Sequence, residues 1–193
     1  MSSDFDSLQG RGRALEEAFF HERDRQLIDA LKRKFTSQES EQVLAAAIGI
    51  GDELTIKAMT RVEAGIEVLV VMAILPMVEV AWCDGEVSST ERIAVLKGAA
   101  QMDVGPENPG YQLLERWLEQ RPNPAAVEAW KKYVAAIVGT MEPATARQVC
   151  EKIMGRAERV ARAAGGFLGF GSKISPEEQA CLDDLTKAFG LPS

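Results

Sequence analysis

Histidine occurs once in the 193 residues, at His21, and cysteine three times, at Cys83, Cys150 and Cys181. A single histidine excludes His-rich metal sites and the paired Glu-x-x-His motifs of ferritin-like di-iron bundles. Glu17 and Asp24 share the helical face of His21, so a solvated histidine is the simplest expectation there. Three cysteines without Cys-x-x-Cys or Cys/His spacing argue against a disulfide framework and against a zinc site. Reduced thiols are expected instead. Basic residues are in deficit, 22 Lys and Arg against 29 Asp and Glu, for a net charge of −7. Nucleic acid needs clustered basic side chains to neutralise its phosphates, so a nucleic-acid groove is not expected.

Long hydrophobic runs are also missing. The most apolar stretch, Val68 to Val78, lies between Glu67 and Glu79 and contains Pro76. A membrane span needs about 20 apolar residues, so this stretch predicts a core helix. The N-terminal Met1-Ser2-Ser3-Asp4-Phe5-Asp6 is acidic and lacks the apolar run of a signal peptide, which makes a cytoplasmic location the expectation. Strand signals are scarce: there is little period-two alternation and no Asn-Gly hairpin turn. The Gly165–Lys173 segment, Gly-Gly-Phe-Leu-Gly-Phe-Gly-Ser-Lys, fails as a phosphate loop. Such a loop reads Gly-Lys-Ser/Thr after a strand, whereas this one reads Gly-Ser-Lys after a helical segment. With no nucleophile–base pair or cofactor loop in view, a non-enzymatic protein is expected.

Helical signals run throughout. Leu15, Phe19, Leu27, Leu31 and Phe35 recur at helix-compatible spacing, and Thr36-Ser37-Gln38-Glu39 is a capping box. Asp52 caps a third helix. Further helices are predicted over 66–82, 88–102, 111–120, 125–140, 143–164 and 175–189, with breakers at Pro106–Gly110 and Pro122–Pro124. The expectation is an all-α, compact helical bundle of about eight to nine helices with essentially no sheet. Pro76 should kink the fourth. Lys152, Arg156 and Arg159 fall on one face of the 143–164 helix with Arg162 nearby; interleaved Glu151 and Glu158 predict a solvated, paired surface.

The charge is not uniform. Residues 1–105 hold 18 acids and 11 bases, whereas residues 106–193 hold 11 of each, so the whole excess lies in the first part. Within it, Asp84-Gly85-Glu86-Val87-Ser88-Ser89-Thr90-Glu91 repeats in outline at Gly171-Ser172-Lys173-Ile174-Ser175-Pro176-Glu177-Glu178. Val87 matches Ile174, Ser88 matches Ser175, and Glu91 matches Glu178. Each pair of Ser and Glu has capping-box spacing, worth about 1 kcal/mol per helix. Asp84 and Glu86 fall outside that explanation.

The run Met77-Val78-Glu79-Val80-Ala81-Trp82-Cys83-Asp84-Gly85-Glu86-Val87-Ser88-Ser89-Thr90-Glu91-Arg92 resembles the Asp-Gly-x-hydrophobic-x-x-x-Glu signature of the TerB-like family, named for tellurite resistance. Ile174-Ser175-Pro176-Glu177-Glu178 resembles its second repeat. The resemblance covers residues 66–190 and implies two similar helical halves, a TerB-like helical domain over 66–193 and an N-terminal helical extension over 1–65. It further implies a bacterial stress-response role through an unidentified protein partner, with acidic residues at the signature turn binding a divalent metal. The second copy has Gly171 where the first has Asp84, so any such metal would lean on the first turn.

Glu79, Asp84, Glu86 and Glu91 are accordingly the candidate metal ligands. Oxygen donors of this type suit Ca²⁺, Mg²⁺ or Mn²⁺. An EF-hand is excluded, because the position eleven residues after Asp84, where a bidentate Glu would stand, is Val95. Two readings therefore stand. In one, the turn holds a cation weakly; in the other, Asp84-Gly85 is a turn, Glu91 a cap and Glu86 a solvated charge, in a purely structural interaction module.

Overall fold

In a computed structural model of the chain, the described residues are 66–102, 104–107, 109–164 and 174–191, with the isolated positions 11 and 26. They form six helices and no strand. These are α1 (Ile66–Ala81), α2 (Ser89–Ala100), α3 (Pro109–Glu119), α4 (Pro124–Val138), α5 (Pro143–Ala164) and α6 (Pro176–Lys187). The helices expected within residues 1–65, and the glycine-rich Gly165–Lys173 segment, lie outside the described residues. Among the described residues, no helix is long and apolar enough to cross a membrane.

Four of the six helices begin on proline, at Pro109, Pro124, Pro143 and Pro176. A first-turn position has no intrahelical use for an N–H, so proline's missing donor costs nothing there. Pro109 thus opens α3, where the density of breakers had suggested a later start. Pro76 behaves differently: it sits inside α1, which continues on either side of it from Ile66 to Ala81.

Helix α1 is the hub. Every side chain from Ala73 to Ala81 is buried, and α1 contacts all five other helices, α5 most extensively. A helix that is apolar all round is stable only when surrounded, and the other five supply that surround. Helix α5 is amphipathic by contrast: Ala146, Val149, Cys150, Ile153, Met154, Ala157, Val160 and Ala161 form its buried stripe. Helix α2 packs across α5 and against α1. Its approach to α1 is close at Gly98, where an added Cβ would lie 2.7 Å from the Met77 sulfur. Large aromatics add to the core, with Trp117 of α3 and Trp130 and Tyr133 of α4 all fully buried.

The basic residues of α5 do not all lie on a solvated face. Lys152, Arg159 and Arg162 do, and Arg162 donates to Glu158 one turn back. Arg156 is buried, and its guanidinium pKa is lowered by that burial and then by Arg159. A heptad-like spacing of cations therefore conceals one that turns inward.

Candidate functional site

The α1–α2 turn is built by three local devices. The backbone of α1 runs on through Trp82, Cys83 and Gly85, whose N–H groups donate to Val78, Val80 and Trp82 carbonyls. Gly85 then takes φ +99°, a region that side-chain-bearing residues rarely enter, and the chain reverses. Asp84 steadies this reversal by accepting from the Glu86 N–H at 3.2 Å. Finally Ser88 caps α2: its hydroxyl accepts from the Glu91 N–H at 3.2 Å, and the Glu91 carboxylate accepts from the Ser88 N–H at 2.8 Å.

The second turn repeats the cap. Ser175 accepts from the Glu178 N–H at 3.1 Å, and Glu178 accepts from the Ser175 N–H at 2.6 Å. Both glutamates are buried although both serve helix starts. Two orphan backbone donors per helix are thereby satisfied.

The four carboxylates proposed as ligands separate into three situations. Asp84 and Glu86 are exposed at the turn. Glu91 is buried and held by its own cap. Glu79 is buried and points elsewhere: it accepts from Arg121, on the α3–α4 connection, at 2.9 Å. Its other oxygen, Oε1, is buried without a hydrogen-bond partner. Beside it, the Trp82 indole N–H donates to the Trp117 carbonyl at 2.7 Å, tying the end of α1 to α3. Among the described residues, no group of three or more His, Cys, Asp and Glu is placed to hold a metal ion. Glu79 and Glu91 thus already have partners within the fold, Arg121 and the Ser88 N–H, while Asp84 and Glu86 are exposed.

Arg121 is not among the candidates in the sequence, whereas the three cysteines are expected to be reduced thiols. Cys83 and Cys181 are half-buried, Cys150 is buried, and all three are free. Burial, chiefly, pushes the Cys83 thiol up to about 12, with Glu178, Cys181, Asp84 and Glu91 adding to it. Cys181 is pushed up to about 11, again mainly by burial and then by Glu79. The thiolate is the reactive form, so these thiols are protected. At pH 8, iodoacetamide is expected to label the folded protein on the order of 100-fold more slowly than free cysteine. In denaturant, all three cysteines should react at the ordinary rate. Mass spectrometry follows both reactions, and rapid labelling of folded Cys83 or Cys181 would contradict the assignment.

Glu91 carries a second consequence. Burial is the largest influence on its carboxyl and raises its pKa above the ordinary 4.5, against the lowering effect of the Ser88 hydrogen bonds. A raised folded-state pKa means the fold favours the protonated acid. That contribution is complete below the unfolded pKa and is lost as pH rises through the folded one. Glu91→Gln keeps an acceptor oxygen for the Ser88 N–H but does not titrate. The melting temperature of the variant minus that of wild type should therefore increase from pH 4 to pH 7. A difference that is flat or falls with pH would show that Glu91 does not behave this way.

Comparison of the chain with protein-family profiles, curated proteins and solved structures finds no match.

Proposed function

We propose that the protein is a non-enzymatic helical interaction module of the TerB-like kind, serving a bacterial stress response through contacts with a protein partner. One observation favours this over a metal-centred role: two of the four candidate ligands are already committed to the fold. Glu79 neutralises Arg121, and Glu91 completes a helix cap. The matching boxes at Ser88–Glu91 and Ser175–Glu178 further support two similar helical halves, each with a long helix leading to a capped one.

A second reading keeps a cation. Asp84 and Glu86 stand exposed, two residues apart, on either side of the reversed Gly85. They could supply two oxygen donors to Ca²⁺, Mg²⁺ or Mn²⁺, with water completing the shell, and such a site would bind weakly. Calorimetric titration of the full chain with each ion separates the two. The interaction reading expects no saturable heat and an unchanged melting temperature. Saturable heat that disappears in Asp84→Ala would replace it with the cation reading.

A further inference from the structure

We draw no further inference here: the strongest candidate, the cluster at the α1–α6 seam where the buried Glu91 and Glu178 carboxylates act on the Cys83 thiol, is an acidic cluster with no second observation that points to a ligand.

Discussion

Replacing Trp130 by alanine is expected to lower the unfolding free energy by about 3–5 kcal/mol. The indole is fully buried in α4. Its ring meets Phe189, just beyond α6, edge to face, with centroids 6.0 Å apart and an interplanar angle of 75°. Removing it leaves a cavity and also breaks this contact, which is worth about 0.5–1.5 kcal/mol beyond its buried area. Because α4 touches α1 less extensively than α3 and α5 do, few other contacts can close the gap. Domains of this kind are stable by about 5–15 kcal/mol, so the variant should sit near its threshold. Urea unfolding followed by circular dichroism measures the loss, with Ile93→Ala as the control. Ile93 is 52% exposed, and its truncation should cost little. A loss below about 1 kcal/mol for Trp130→Ala would mean that the α4–α6 contact does not hold the bundle together.

The second large effect concerns Glu79 and Arg121. A buried ion pair contributes little net stability, but deleting one partner strands the other charge. Arg121 has a side chain 48% exposed and Glu79 only 6%, so the two deletions are not equivalent. Arg121→Ala leaves a buried carboxylate with both oxygens short of donors, since Oε1 has none already. The cost should be about 2 kcal/mol, less than the 3–5 of a fully enclosed pair because water can reach the place the guanidinium vacates. Glu79→Leu removes the charge itself and should cost less. In the Glu79→Leu background, Arg121→Ala should then cost almost nothing. This double-mutant cycle isolates the pair. Equal losses in both backgrounds would show that Arg121 acts independently of Glu79.

Local chemistry made much of the bundle readable. The Ser88–Glu91 and Ser175–Glu178 boxes satisfy donors three residues away, and both form as their spacing predicts. The α5 range, 143–164, follows from Pro143 and an apolar stripe with helical period. The candidate site was less readable. Glu79 lies one turn from Asp84 in sequence, yet its partner is Arg121, 42 residues away. Arg156 and Arg159 likewise look alike along the chain, but one is buried and the other exposed.

Sequence alone therefore determined the helical class, the capped starts of α2 and α6 and the reversal at Gly85, because these depend on hydrogen bonds and dihedral angles within a few residues. Tertiary structure decided which charges are free. Burial and pairing depend on how α1 is rotated among its five neighbours, and that rotation directs Glu79 to Arg121, 42 residues away. Asp84 and Glu86 are the candidate ligands left facing water.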